Sequence, residues 1–103
     1  MRGDVHELKA PRDARGHEQR GNRFAVVVQS DLLPLSTLLV APTSTSARPT
    51  SFRPEIEING KTTCVLAEQT AAIQPERLGR VVGHLSHHEM TAVDAALRTV
   101  LSL

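Results

Sequence analysis

The chain has 103 residues and a formal net charge of +1, with no tryptophan or tyrosine and two phenylalanines. A chain of this length is expected to form one domain around an aliphatic core, and it has few rings on which nucleic-acid bases can stack. Its single cysteine, Cys64, excludes an internal disulfide and a cysteine-rich zinc site. We find no signal peptide or membrane-spanning pattern and expect a soluble, cytoplasmic protein.

The charges are unevenly distributed along the chain. Residues 1–53 carry eight Lys or Arg against five Asp or Glu, whereas residues 54–103 carry four against six. The first half is therefore the better place to look for a phosphate-containing partner.

The chain begins with a predicted short strand over residues 2–8, whose apolar anchor is Val5. Residues 9–22 are polar and contain one proline and two glycines, which predicts a long loop. Loops of more than about 12 residues in small domains are usually functional or disordered.

Two further strands are predicted in the first half. Residues 23–30, "RFAVVVQS", are nearly continuously apolar, which favours a central strand covered on both faces. Residues 31–36 form a connection to a second strand over residues 37–45. Pro42 in that strand has no amide proton, so the strand should bulge or end its regular pairing there.

A hairpin is predicted after a polar loop at residues 46–52. Charged and apolar residues alternate over residues 54–59, and the pair Asn59 and Gly60 favours a type I′ turn. The returning segment, residues 62–73, is long enough to bend at Ala67.

The last third changes from strand to helix. Residues 74–78 predict one helical turn with Pro75 at its start, and residues 79–85 predict a short strand. Ser86 and Glu89 then have the spacing of a capping box. Leu85 and Met90 are placed as the hydrophobic staple of this cap. The apolar residues that recur at helical spacing, and so predict an amphipathic helix, are Met90, Val93, Leu97, Val100 and Leu101.

Five or six short, hairpin-linked strands with one carboxy-terminal helix predict a small antiparallel barrel or half-barrel of the α+β class. One domain should span residues 1–103.

Three histidines lie close together in sequence, at His84, His87 and His88. Adjacent residues on a helix point apart, and His84 precedes the predicted cap. We therefore favour surface histidines over a metal site.

Arg23 and Thr43 each permit two interpretations. An arginine at the start of a buried strand either pairs with a carboxylate, here Glu18, or binds an anionic ligand. Thr43 is either a reactive hydroxyl or an ordinary strand-forming threonine. Glu68 and Gln69 end an apolar run and fit a solvated strand end equally well.

Seven segments taken in order resemble the MazF/PemK family, the small toxins of toxin–antitoxin modules. They are "RGDV", "GHEQRGNR" before "AVVVQSD", "VAPTST", "FRPEIEI", "VLAEQTAAI", "RLGRVVGHL" and "VDAALRTVL". The resemblance covers almost the whole chain. It implies a half-open, SH3-like antiparallel barrel with a carboxy-terminal amphipathic helix.

The resemblance also implies an activity and partners. Members of the family form homodimers and mostly cut single-stranded RNA at short sequences without a metal or other cofactor, which inhibits translation and growth. The cognate antitoxin, MazE-like, is expected to be an acidic, partly disordered segment laid across the basic groove of the dimer.

Residue roles follow from the same resemblance. Arg23 matches the arginine of the family's "GxEQxxxR" loop and Thr43 the threonine of its proline-containing strand, and these two are the family's principal catalytic residues. We hypothesise that Glu18 or His17 accepts the proton of the 2′-hydroxyl. We expect the RNA-binding residues to be Gln19, Arg20, Thr45, Arg48, Glu68 and Gln69.

One position departs from the family pattern. The family usually has proline directly after the arginine, whereas this chain has Phe24. Phe24 has an amide proton and adds a ring beside Arg23, so the first pairing of that strand is left open.

The sequence also permits two rival functions. A CcdB-like gyrase poison would share the barrel but depends on a bulky aromatic near its terminus, and this chain ends "RTVLSL". A non-catalytic barrel that binds a peptide or nucleic acid would follow if Arg23 were locked in an ion pair.

Overall fold

The computed structural model describes residues 1–9 and 23–103. The predicted loop of residues 9–22 lies outside this part of the chain except for Lys9. The candidate site residues of that loop, His17, Glu18, Gln19 and Arg20, therefore lie outside the described residues as well.

The described chain forms one antiparallel sheet and one helix. The strands are β1 Asp4–Leu8, β2 Arg23–Val27, β3 Leu38–Ser44, β4 Glu55–Ile58, β5 Lys61–Val65, β6 Ala71–Ile73 and β7 Leu78–His84, followed by the helix α1 His87–Leu101. The sheet order is β4-β5-β3-β2-β1-β7, and β6 pairs with β3. The sheet curls into a half-barrel, which confirms the predicted α+β class. Within the described ranges, no helix has the length and apolar character needed to cross a membrane.

Strand β2 lies between two layers of apolar side chains. Val26 belongs to the core cluster that also contains Val93 of α1, whereas Ala25 and Val27 pack with Val40 in a second cluster. Successive side chains of a strand point to opposite faces, so nearly every residue of β2 is apolar. The prediction of a central strand covered on both faces is confirmed.

Strand β3 changes partners at Pro42. Its pairing with β2 runs from Val40 to Pro42 and ends there. On its other edge β3 pairs with β6 over residues 38–40 and with β5 at Thr43 and Ser44. The predicted end of regular pairing at Pro42 is confirmed.

The turns also lie where the sequence indicates them. Asn59 and Gly60 both have positive φ, 52° and 80°, as a type I′ hairpin requires. The chain bends into a 3-10 turn that begins at Ala67, and a second 3-10 turn begins at Pro75.

Helix α1 begins with the predicted capping box. Ser86 Oγ accepts a hydrogen bond from the Glu89 backbone N–H at 3.1 Å, and Glu89 accepts one from the Ser86 backbone N–H at 2.8 Å. The other carboxylate oxygen of Glu89 accepts from the Glu57 backbone N–H at 2.9 Å. Glu89 therefore ties the start of α1 to β4.

The predicted apolar stripe of α1 is right for Met90, Val93 and Leu97, which pack on the core. It is wrong for Leu101, which is 61 % exposed. The core contacts of the helix end at Leu97, and Leu101 is the last helical residue. The stripe also missed Ala96, which is fully buried.

Candidate active site

Arg23 is the first residue of β2 and pairs across the sheet with Leu8 of β1. The side chain is half-buried, and its Nε is buried with no hydrogen-bond partner among the described residues. Burial lowers the pKa of Arg23, and the nearby positive charge of Arg77 lowers it further. The described structure thus holds a guanidinium in a setting that is unfavourable for its charge. Phe24 continues the strand and pairs with Glu7, which answers the question left by its replacement of proline.

Thr43 lies on β3 just beyond the point at which pairing with β2 ends, and it is 6 % exposed. Its Oγ1 donates a hydrogen bond to the backbone carbonyl of Phe24 at 3.3 Å. Because that carbonyl follows Arg23 in the chain, the bond ties Thr43 to the start of β2. The bond is long for a hydroxyl donor, whose usual distance is about 2.7–2.8 Å.

Arg23 and Thr43 line the same cavity, which we call the Thr43 cavity. Its volume is about 470 Å³. The described residues that line it include two cationic side chains and five hydroxyl side chains, and no carboxylate. These residues are Arg23, Phe24, Thr43, Ser44, Thr45, Ser46, Ile58, Asn59, Lys61 and Thr63. Cations and hydroxyl donors around an open cavity suit a phosphodiester.

The other predicted RNA-binding residues do not all lie at the same place in the structure. Thr45 lines the Thr43 cavity, whereas Arg48 and Gln69 are exposed residues that do not line it. Glu68 is paired with Arg53, whose Nε and Nη2 donate to one carboxylate oxygen at 2.9 and 2.5 Å. These hydrogen bonds lower the pKa of Glu68. Glu68 is thus an ionised carboxylate held by an arginine outside the Thr43 cavity.

Sequence reasoning missed the contribution of the β4–β5 hairpin. Asn59, Lys61 and Thr63 line the Thr43 cavity together with Ile58. The turn itself was predicted, but the sequence carried no signal that this hairpin would lie beside the start of β2. That arrangement depends on the long-range pairing of Thr43 with Val65 of β5.

Three histidines and the cysteine of the described residues do not line this cavity. His84 forms a hydrogen bond between Nδ1 and Asp4 Oδ1 at 2.6 Å, and His87 and His88 are exposed at the start of α1. Cys64 is buried and donates to the Ala47 carbonyl at 3.4 Å. Burial raises the pKa of Cys64, which disfavours the nucleophilic thiolate.

Comparison with known proteins identifies relatives of this chain along its whole length. The family model described as PemK-like, MazF-like toxin of type II toxin–antitoxin system matches residues 1–101. The Mycobacterium tuberculosis protein named "Putative toxin Rv3098A" is 40% identical over 104 residues, which cover 100% of this chain and 98% of the relative.

Solved structures share the fold at low sequence identity. An endoribonuclease from a mycobacterial species, solved in complex with its cognate antitoxin, has a TM-score of 0.81 at 18% identity, with 100% of this chain and 95% of that chain covered. The Mycobacterium tuberculosis toxin MazF-mt6 has a TM-score of 0.78 at 18% identity, with 97% of each chain covered. From the match to the family model and the curated relative, this chain belongs to the PemK-like, MazF-like toxins of type II toxin–antitoxin systems.

Proposed function

We propose that this toxin is a metal-independent, sequence-specific endoribonuclease that cuts single-stranded RNA and thereby inhibits translation and growth. The observation that supports the proposal best is the shared cavity of Arg23 and Thr43. The mycobacterial structure of the same fold is an endoribonuclease.

The proposed reaction uses the RNA as its own nucleophile. The ribose 2′-oxygen attacks the neighbouring phosphorus and loses its proton, and the bond from phosphorus to the 5′-oxygen breaks. The 5′-oxygen takes up a proton. The products are a 2′,3′-cyclic phosphate and a 5′-hydroxyl end, so no water is consumed in this step.

Arg23 supplies charge stabilisation in this reaction. Its guanidinium has five N–H donors and stays protonated at neutral pH, so it serves as a donor to the phosphorane oxygens and not as a base. Among the described residues Nε has no hydrogen-bond partner that would have to be released before it binds a phosphate oxygen. Removal of one such donor typically costs about 3–4 kcal/mol of transition-state stabilisation.

Thr43 contributes a hydroxyl beside the reacting phosphate. The long bond from its Oγ1 to the Phe24 carbonyl can be exchanged for a bond to phosphate at little cost. While that bond is kept, Thr43 also holds the backbone that carries Arg23. Lys61 adds a second positive charge to the same cavity.

The proton transfers require a group that can accept and release a proton near neutral pH. We propose Glu18 or His17 as the acceptor of the 2′-proton, because they precede Arg23 by five and six residues. The described residues that line the Thr43 cavity include no carboxylate and no histidine. Gln19, Arg20, Thr45, Arg48, Glu68 and Gln69 remain proposed RNA contacts.

The proposed setting is a cytoplasmic homodimer. Its partners are single-stranded RNA and a cognate antitoxin of the MazE-like kind, with an acidic disordered segment that would compete with RNA for the cationic cavity.

The test is cleavage of a mixed single-stranded RNA by the purified protein in excess EDTA, followed by analysis of the new ends. We expect discrete cuts with cyclic phosphate and 5′-hydroxyl ends. Arg23→Ala and Thr43→Ala should remove cleavage while circular dichroism shows a retained fold. Full activity of both variants would contradict the proposal, and so would cleavage that EDTA abolishes.

A further inference from the structure

Arg23 also lines a second concavity, on the side of the sheet formed by β1 and β7. We call it the Arg80 cavity. Its volume is about 550 Å³, and it is lined by Glu7, Leu8, Lys9, Arg23, Leu78, Gly79 and Arg80. Of the described residues, Arg23 is the one that lines both this cavity and the Thr43 cavity.

The strand register places the two cavities side by side. Leu78 of β7 pairs with Leu8 of β1, and Leu8 pairs with Arg23 of β2. Neighbouring strands lie about 4.8 Å apart, so this row of three residues spans roughly 10 Å from Arg23 along one end of the sheet. The two cavities therefore meet at Arg23.

The lining of the Arg80 cavity carries an excess of positive charge. Among the described residues of the lining, Lys9, Arg23 and Arg80 are three cations against the one carboxylate of Glu7. Arg80 meets Glu7 at 3.4 Å, and the Arg80 side chain is 79 % exposed. An ion pair this exposed contributes little, so Arg80 is available to an anion from solvent.

The backbone beside this cavity is held in place by Arg77. Its Nε and Nη2 donate to the Lys9 carbonyl at 3.2 and 3.1 Å, and the Lys9 backbone N–H donates to the Arg77 carbonyl at 2.8 Å. Gly79 allows close packing here, since an added Cβ would meet the Glu7 side chain at 3.2 Å. These contacts hold the start of β7 against the end of β1 and so keep Lys9 and Arg80 in the lining of one cavity.

We propose that the Arg80 cavity is a phosphate subsite, in which Lys9 and Arg80 bind the RNA phosphate next to the one that is cleaved. Arg23 joins the two subsites. This inference rests on the proposed function and extends it with a second, non-reacting contact to the RNA backbone. The contact is to phosphate alone and predicts affinity and direction of the strand, not base preference.

The test uses an oligoribonucleotide that contains a mapped cleavage site and carries 2′-deoxyribose at the attacking position, so that it binds without being cut. A methylphosphonate replaces one phosphate at a time and removes its charge. Binding is measured by fluorescence anisotropy over a range of salt concentrations. The proteins are the wild type, Arg80→Ala, Lys9→Ala and the control Arg98→Ala, which removes an exposed arginine of α1 that lines neither cavity.

We expect Arg80→Ala and Lys9→Ala to weaken binding about threefold to tenfold. In a plot of the logarithm of the binding constant against the logarithm of the salt concentration, the negative slope should become shallower by about 0.7 for one lost phosphate contact. One methylphosphonate adjacent to the reactive phosphate should weaken binding by the wild type and by Arg98→Ala, and it should have a smaller effect on Arg80→Ala and on Lys9→Ala, each of which has already lost one of the two contacts.

Equal salt slopes for Arg80→Ala and Arg98→Ala, with every methylphosphonate retaining its wild-type effect, would overturn the subsite while leaving the ribonuclease intact. A wild-type protein that neither cuts nor binds RNA would overturn the proposed function and the subsite together.

Discussion

Replacement of Arg23 by methionine should abolish RNA cleavage and raise the stability of the fold. Methionine has a similar length and no charge, so it keeps much of the packing at the start of β2. It removes a guanidinium whose pKa is lowered by burial and by the charge of Arg77. A lowered pKa means that the folded protein disfavours the charged form relative to the unfolded chain.

The magnitude follows from Arg23 Nε, which is buried without a partner among the described residues. A buried donor without a partner costs about 1–3 kcal/mol, and some of this is offset by packing that methionine does not reproduce. We expect a net gain of about 1 kcal/mol in the free energy of unfolding, which raises Tm by roughly 4–8 °C for a domain of this size. The part that comes from Arg77 should shrink at high salt.

Thermal unfolding followed by circular dichroism at low and high salt measures this effect, with Arg98→Met as the matched control. The control should change the free energy of unfolding by no more than about 0.5 kcal/mol. A clear loss of stability in Arg23→Met would refute the reasoning. It would mean that Arg23 is held by a carboxylate of the loop, with Glu18 as the first candidate, and would favour the structural ion pair over the anion site.

Two further predictions concern Lys61 in the Thr43 cavity and Glu89 at the start of α1. Lys61→Ala should weaken RNA binding about threefold to tenfold with little change in Tm, because Lys61 is exposed and lines the Thr43 cavity; unchanged affinity in an anisotropy titration would exclude Lys61 from the interface. Glu89→Gln should cost about 1–2 kcal/mol of stability at pH 7. Burial alone would raise the pKa of Glu89, but the backbone hydrogen bonds from Ser86 and Glu57 hold it below 4.5. The wild-type advantage should therefore be complete above pH 4.5 and decline as the pH falls through the lower folded pKa, and an advantage that does not change with pH would contradict this account.

The elements of this fold could be predicted because each depends on local chemistry. The missing amide proton of Pro42, the positive φ angles of Asn59 and Gly60 and the Ser86–Glu89 cap act within a few residues of themselves. Leu101 was predicted wrongly because helical spacing alone does not show where the core beneath the helix ends.

For the candidate site, it was the family resemblance that pointed to Arg23 and Thr43, which line the same cavity. Composition and spacing left Arg23 open between an ion pair and an anion site. Lys61 and Arg80 were not found, because each reaches Arg23 through strand pairings between residues far apart in sequence. No periodicity in the chain encodes such pairings.

The Thr43 cavity exists because one strand changes partners. The pairing of β3 with β2 runs as far as Pro42, and the hydroxyl of the next residue, Thr43, bonds to the Phe24 carbonyl. On the opposite edge, β5 takes over from β6 at Thr43, and this brings the β4–β5 hairpin with Lys61 to the same end of the sheet. The change of partners along β3 thus places the Thr43 hydroxyl and the Lys61 ammonium group at the same cavity.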